Sequence, residues 1–571
     1  MTTSLHGWRR RLAAPAVMLA MIGCVADASA CGGFFCQQVP IDQAGEQIIF
    51  RRDGNQVTAI VLIQYEGTAE DFSWVVPVPG VPELSTGSEL VFFPLEQATR
   101  PQFNLIRNGD PCSFNEFGQG GGTDAPSDAA DGGSGDDDGG VEVLKEEAVG
   151  PFDIVVVTSE DPEAMATWLT DNGYDLTDRG DELIAPYVEA GMNFVALRLR
   201  QDQEVGDLQP LVMRYESDEI MVPIRLTAVA AMPDMGVLVW LLGEARGVPL
   251  NYLHVIPNYT RLDWYTGNAY ASYQGLITAA MDEAGGQGFA TDYAGDDFDG
   301  TSSLPQASAL ETSFAEYTVI EDDATFLART LNEFPFLFFN VQSNIIEDKI
   351  LAVLRRELPV EDGGGGFAYS DNDLLSAFFT EEELAAARVA LEAEIRDAII
   401  APLEETLGVF EQGQYMTRVY TTLSAEEMTL DPTFSFNSDL EDQPLARSAT
   451  MDIECTADGT RWTLTLGEGT DREGETVIEG TGTPPGVFSA VPTIAQDAVF
   501  RSEEVSTSGQ PTIVEEKQFT TAQVIGEDDG DGGGGGIFSS PLCGAVGGGC
   551  GGGVAMLFTI AMGLHWMRRR A

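Results

Sequence analysis

The sequence predicts an α+β fold: an antiparallel-sheet-rich N-terminal body with a few covering helices, a helical middle segment and a β-rich C-terminal part. Three observations predict it. Runs of β-branched and apolar residues separated by turn residues recur from Gln47 onward. One strand-to-helix unit stands at Pro151–Gly173, and a helical period over Thr380–Ile399 gives way to a period of two from Tyr415. Several antiparallel strands with one or two helices among them imply helices gathered on a sheet face rather than a wound parallel sheet.

The elements follow in order. Gln47–Arg51 and Gln56–Tyr65 flank Arg52-Asp53-Gly54-Asn55, which is turn chemistry, so a hairpin is expected there. Asp71–Val78 continues as a strand until Pro77, Pro79 and Pro82 force an extended exit. From Phe117 to Gly140 the composition collapses to Gly, Asp, Ser and Pro, the mark of a disordered insertion. Pro151–Thr158 reads as a short buried strand. Its helix is capped by Ser159 or Asp161, carries Met165, Trp168 and Leu169 on one face and stops at Asn172-Gly173.

Asn193–Arg200 alternates as a half-buried strand would. Leu211–Tyr215 and Ile220–Ala230, on either side of Glu216-Ser217-Asp218-Glu219, read as a second antiparallel pair, and Val237–Leu242 as a further strand. Tyr270–Leu304 is mixed and acidic and reads as a loop-rich excursion. Thr325–Leu358 reads as helices broken at Pro335, and Gly363–Gly366 as a flexible joint. Thr380 and Glu383 then form a capping-box pattern ahead of Leu384, Ala387, Leu391, Ile395 and Ile399 at helical spacing, with Pro402 ending or kinking that helix. Within the β-rich stretch from Tyr415 to about Phe519, Trp462–Leu466 is the clearest strand.

Both ends of the chain read as sorting signals. Arg9, Arg10 and Arg11 precede an apolar segment, Leu12–Val25, and Ala28-Ser29-Ala30 supplies a small-x-small cleavage pattern ending at Ala30. Gly23-Cys24 and Ala30-Cys31 each place Cys after a small residue, but neither has the Leu three residues earlier that lipidation favours. At the other end, a Gly-rich run holding Cys543 and Cys550 leads into the apolar stretch Val554–Met567 and then Arg568, Arg569 and Arg570, a membrane stop with a cationic lock. That stretch is shorter than the ~20 residues a spanning helix needs, which suits a transient or processed anchor.

The expected organisation is therefore a signal peptide (1–30), an N-terminal β-rich part (31–116), the acidic Gly-rich insertion (117–140) and an α+β body continuing the first part (141–362). A flexible joint and helix (363–414), a β-rich C-terminal part (415–525), an acidic Gly stalk (526–542) and a sorting tail with a membrane segment (543–571) complete it.

Charge excludes some functions. With 91 acidic against 30 basic residues the net charge is -61, and Lys145, Lys349 and Lys517 are the only lysines. Such a surface repels nucleic-acid phosphates and anionic lipid headgroups, so no nucleic-acid partner is expected and contact with membrane is confined to the tail. Solubility outside the cell explains the charge, with weak, nonspecific calcium binding by the surface as its by-product and no specific cofactor. Apart from Cys24 in the leader and Cys543 and Cys550 in the tail, the cysteines are Cys31, Cys36, Cys112 and Cys455, an even number suited to disulfides after export. Four cysteines allow three pairings, and the sequence does not choose among them.

Several of these stretches together carry a resemblance. Cys31-Gly-Gly-Phe-Phe-Cys36, Phe72-Ser-Trp-Val-Val-Pro-Val-Pro79, Val222-Pro-Ile-Arg-Leu-Thr227 and Tyr415-Met-Thr-Arg-Val-Tyr420 with Asp431-Pro-Thr-Phe434 resemble the bacterial proteins grouped as domain of unknown function 2330, over about residues 31–440. The resemblance implies exported proteins of unassigned activity. The tail is similar to the C-terminal sorting signals of myxobacterial surface proteins, in which a Cys before the apolar run is processed. That likeness implies Cys543 or Cys550 as the processing point, and the export machinery and a tail-processing membrane protease as partners.

No catalytic, cofactor-binding or metal-ligating residue is assigned from the sequence. His254 is the only histidine outside leader and tail, and it reads as a structural residue on a strand or its edge. Gly132–Asp137 and Asp297-Phe-Asp299-Gly300 resemble fragments of calcium turns. The first lacks a strand repeat, and the second has Gly295 and Gln306 where the loop needs carboxylates, so both read as acidic linker. The expected function is a non-enzymatic envelope or surface protein, structural, adhesive or ligand-binding. The alternative is an exported hydrolase with a carboxylate-based or metal-assisted site.

Overall fold

The computed structural model of the chain describes residues 42–66, 73–110, 141–174, 180–200, 208–229, 231–265, 269–338, 341–360, 368–411, 413–482, 484, 497–517 and 523–525. The first hairpin forms where expected and is longer: β1 (Asp42–Asp53) pairs with β2 (Gln56–Glu66), and Gly54 closes the turn at φ 63°. Only glycine adopts that backbone without a Cβ penalty. β3 (Ser73–Val78) leaves for another sheet, β4 (Glu83–Thr86) returns, and α1 (Phe92–Thr99) and β5 (Gln102–Asn108) follow. The stretch expected to be a disordered insertion lies outside the described residues.

β6 (Glu142–Val149) and β7 (Phe152–Thr158) precede α2 (Pro162–Asp171), whose Asp161 cap accepts from the Glu163 N–H at 3.0 Å. Met165, Trp168 and Leu169 of α2 are buried, as their spacing predicts. α3 (Gly180–Glu189) and β8 (Asn193–Leu199) come next, and Phe194–Leu197 is buried on both faces rather than one. The antiparallel pair expected around residues 216–219 does not form. β9 (Leu211–Glu216) joins β2 and β4, β10 (Ile220–Met221) pairs elsewhere, and Ile224–Thr227 is a helical turn, α4. Pro223, without an N–H to give to a ladder, stands where the second strand would have continued.

β11 (Ala231–Gly243), β12 (Arg246–Pro249) and β13 (Leu253–Pro257) are followed by α5 (Ala269–Glu283) and by β14 (Gly288–Gly295), which is buried throughout. The expected loop-rich excursion is thus a long helix and a core strand. α6 (Gly300–Ser303), α7 (Ala307–Thr318), α8 (Asp323–Glu333) and α9 (Val341–Glu357) form the helical middle, with a 3-10 turn at Pro335 between the last two. The expected joint at 363–366 lies outside the described residues.

After α10 (Asn372–Phe378), α11 (Glu381–Glu394) starts with the capping box of Thr380 and Glu383. It runs on through a wide π turn, Ile395–Ile400, into α12 (Ala401–Leu407). Pro402 does not end the helix. It cannot serve the Ala398 carbonyl, which accepts instead from Gln209 Nε2 at 2.8 Å. β15 (Tyr415–Leu423), β16 (Thr433–Asn437), β17 (Ala446–Thr456), β18 (Gly459–Leu466), β19 (Thr476–Thr481), β20 (Val499–Glu504), β21 (Thr512–Glu516) and β22 (Gln523–Ile525) complete the chain.

These elements make an α+β architecture around a ten-stranded mixed sheet, β21-β20-β13-β14-β15-β11-β1-β2-β9-β4. Side chains alternate across it. Ile49, Ile60, Leu238 and Trp240 face the helical middle, while Ile48, Phe50, Ala59, Val61 and Val239 face the sheet β3-β8-β7-β6. The far side of that second sheet, at Val75, Val157, Phe194 and Ala196, packs on α2 and α3. Four layers result, helices, sheet, sheet, helices, and both sheets bury both faces. Burial on both faces is why their strands read as nearly continuous apolar runs.

Strands distant in sequence lie side by side: β1 pairs in parallel with β11, β15 lies between β11 and β14, and β17 pairs in parallel with β5. A third core joins α5 to the sheet β22-β19-β18-β17-β5 through Tyr273, Ile277, Met451, Trp462 and Leu464. Among the described residues no helix is long and apolar enough to cross a membrane.

Candidate functional site

The space between the two stacked sheets is not filled at one end. A cavity of about 280 Å3 opens there, lined by Ile48 and Phe50 of β1, Ala59 and Val61 of β2, Trp74, Val76 and Val78 of β3, and Met213 and Tyr215 of β9. Met192, Met221, Pro223 and Glu219 stand around it. Apolar strand faces with a few polar groups are the usual make-up of a small-molecule site.

One of those polar groups is Glu46. Side chains on β1 alternate, so Glu46 shares the inward face of Ile48 and Phe50 and is in register with Val237 of β11. The ladder is irregular immediately before it. Register shifts on both sides of β1 between Gln43 and Gly45, and nearby on β11 Asp234 adopts φ 59°. Such bulges re-aim a side chain. Glu46 is 5% exposed and lines the cavity, and its Oε2 has no hydrogen-bond partner among the described residues. Burial alone pushes its carboxyl up from 4.5 to about 7. Near neutral pH this group is therefore poised between a neutral donor and a buried anion.

Two further arrangements are less suited to binding. Glu503 Oε2 lies 3.1 Å from His254 Nδ1, and His254 Nε2 lies 3.1 Å from Thr291 Oγ1, an acid-imidazole-hydroxyl chain across β20, β13 and β14. Burial opposes the Glu503 charge, but His254 and Arg501 outweigh it and hold the carboxyl below its ordinary value. None of the three lines the Glu46 cavity. His254 lies on a strand, as its sequence context suggested, with both ring nitrogens engaged.

The second arrangement is the ion pair of Arg418 and Asp292, 3.0 Å apart and both almost wholly buried. Tyr273 donates to Asp292, and Arg418 also donates to the Glu96 carbonyl and to Tyr270. Burial works against the Arg418 charge, yet Asp292 and its neighbours more than offset it. This network ties α1, α5, β14 and β15 together. A larger depression of about 500 Å3 near Arg51 and Glu411 is open and polar, and Arg51 is already paired with Glu411.

Of the residues singled out in the sequence, Cys31, Cys36, Cys112, Ala30, Cys543, Cys550, Arg568, Arg569 and Arg570 lie outside the described residues. Cys455, near the end of β17, is disulfide-bonded. Asp297 accepts from the Tyr293 hydroxyl, and the Asp299 carbonyl accepts from the Ser302 and Ser303 N–H groups, so the calcium-like stretch closes a turn. Among the described residues no group of three or more His, Cys, Asp or Glu could hold a metal ion.

Two of the motifs meet at the cavity, Phe72–Pro79 through Trp74, Val76 and Val78, and Val222–Thr227 through Pro223. The third and fourth meet through Asp431, which accepts from Tyr187 Oη at 2.8 Å and from the Arg225 N–H at 3.0 Å. Sequence reasoning missed Glu46. The available signal was a carboxylate two residues before Ile48 and four before Phe50, on the same face of the strand.

Comparison with known proteins agrees with the motifs. Residues 25–327, more than half of the chain, match the family described as "Uncharacterized protein conserved in bacteria (DUF2330)". Glu46 and the whole lining named above fall inside that span, whereas Tyr415–Tyr420 and Asp431–Phe434 lie beyond it. No curated protein and no solved structure matches the chain.

Proposed function

The chain belongs to the DUF2330 family of bacterial proteins, and from that premise we propose that it is an exported envelope protein whose α+β body binds a small, largely apolar ligand in the cavity at Glu46. The unpartnered, buried Glu46 carboxyl carries the reading. Leaving such a group without a hydrogen bond costs roughly 1–3 kcal/mol, a cost that a ligand group placed beside it would offset. A cavity lined by rigid strands and three methionines also suits apolar shapes that vary.

Export is supported by the disulfide at Cys455, a bond that persists in oxidising compartments, and by the leader and tail patterns of the sequence. On this reading Ala30 ends the leader, and Cys543 or Cys550 is processed with Arg568–Arg570 held on the cytoplasmic side. The hydrolase alternative has one observation in its favour, the second carboxylate, Glu219, on the same cavity.

The test is titration of the purified full-length protein with the neutral fluorophore N-phenyl-1-naphthylamine. One saturable site is expected. Ala190→Trp, at an exposed position on the cavity rim, is expected to weaken binding at least ten-fold while leaving the urea midpoint unchanged. Absence of saturable binding, or binding indifferent to that plug, would sink the proposal. Turnover of an ester or glycan that disappears in Glu46→Gln would replace it with the hydrolase reading.

A further inference from the structure

We infer that the ligand of this cavity carries an alkylated ammonium group that sits against Glu46. The inference rests on the ligand-binding reading above and names the chemistry of the ligand. Its basis is which side chains line one cavity: Glu46 with its carboxyl, and Phe50, Trp74 and Tyr215 with their rings, all less than 9% exposed. Each ring presents a negative face that attracts a cation, tryptophan most strongly, and desolvation strengthens the attraction. A carboxylate beside such rings supplies the counter-charge.

Alternatives fit less well. A metal ion needs several oxygen or nitrogen ligands, and the lining offers two carboxylates, Glu46 and Glu219, with no His or Cys beside them. An anionic ligand would meet Glu46 with no basic side chain among the lining residues. A bare primary ammonium holds its hydration strongly and needs several hydrogen-bond acceptors. A methylated ammonium sheds water more readily and matches an apolar wall. The Met192, Met213 and Met221 side chains then pack on its methyl groups.

The experiment compares two probes of the same shape that differ only in charge, choline and 3,3-dimethylbutan-1-ol, by calorimetric titration into the full-length protein at pH 6 and pH 8. Choline is expected to bind at least ten-fold more tightly than the neutral probe at pH 8. That preference should shrink at pH 6, where the carboxyl regains its proton, and vanish in Glu46→Gln. Trp74→Leu, which keeps the wall apolar, should weaken choline more than the neutral probe.

Tighter binding of the neutral probe, or equal binding of the two at pH 8, overturns this inference while leaving an apolar-ligand site in place. A preference for choline that survives Glu46→Gln also overturns it, because the overall charge of -61 would then be its source. Binding of neither probe, together with failure of N-phenyl-1-naphthylamine, removes both readings.

Discussion

Replacing Glu46 by glutamine should change how stability depends on pH, and the size of the change follows from burial. The carboxyl is raised from 4.5 to about 7 with no neighbouring charge contributing. The folded state therefore holds a proton that the unfolded chain has lost between those two values. Stability contributed by that proton is complete below pH 4.5 and is lost as pH rises towards 7, because the unfolded state binds fewer protons across the window. The gap of about 2.5 pH units, at 1.36 kcal/mol per unit, corresponds to about 3 kcal/mol.

Glutamine keeps the shape and does not titrate, so Glu46→Gln gains about 3 kcal/mol on the wild type between pH 4.5 and pH 8, with the difference flat above that. Urea unfolding of both proteins at matched pH values measures it, since the other carboxylates are common to both and cancel. A stability difference that stays constant from pH 5 to pH 8 would refute the reasoning. It would mean that Glu46 is solvated, or paired with a group beyond the described residues.

Two other outcomes are expected. Asp292→Asn leaves the Arg418 guanidinium buried without its counter-charge, so unfolding free energy should fall by about 3–5 kcal/mol; a fall below 1 kcal/mol in urea unfolding would show that the remaining hydrogen bonds suffice. β5 pairs in parallel with β17 and sets Asn108 opposite Asp452, four residues before Cys112 and three before Cys455 in the sequence. Proteolysis of the unreduced protein should therefore yield a linked peptide pair containing both, seen by mass spectrometry; linkage of Cys455 to Cys31 or Cys36 would break that inference.

Local signals were legible in the sequence. The hairpin at Gly54, the Asp161 cap, the capping box of Thr380 and Glu383 and the strand at Trp462 each depend on a few neighbouring residues, and each forms. What failed depended on distant partners. β14, Gly-Phe-Ala-Thr-Asp-Tyr-Ala-Gly, has little β-propensity of its own and becomes a core strand because β13 and β15 flank it and α5 covers it. α5 did carry a helical stripe, Tyr273, Leu276, Ile277, Ala280 and Met281, but Gln274, Gly275 and Thr278 between them diluted it. The pairing of β1 with β11 spans far more chain than any pattern window.

The site was harder to see than the fold, for a physical reason. A buried acid on a strand has no sequence signature of its own when 91 acidic residues surround it in composition. Alternation would have exposed Glu46 as a misfit only if one face of β1 were solvated. β1 lies between β11 and β2 with cores on both sides, so Ile48 and Ile49 are buried alike and the period of two is erased. Nor does the sequence reveal that β3, with Trp74, leaves the first sheet to form the opposite wall, since strand pairing is decided by partners at β8 more than a hundred residues on. The cavity is thus a product of topology: two sheets that each specify their own pairing meet at an end where neither supplies a side chain to fill the gap. One carboxyl, Glu46, lines that gap with an oxygen that has no hydrogen-bond partner among the described residues.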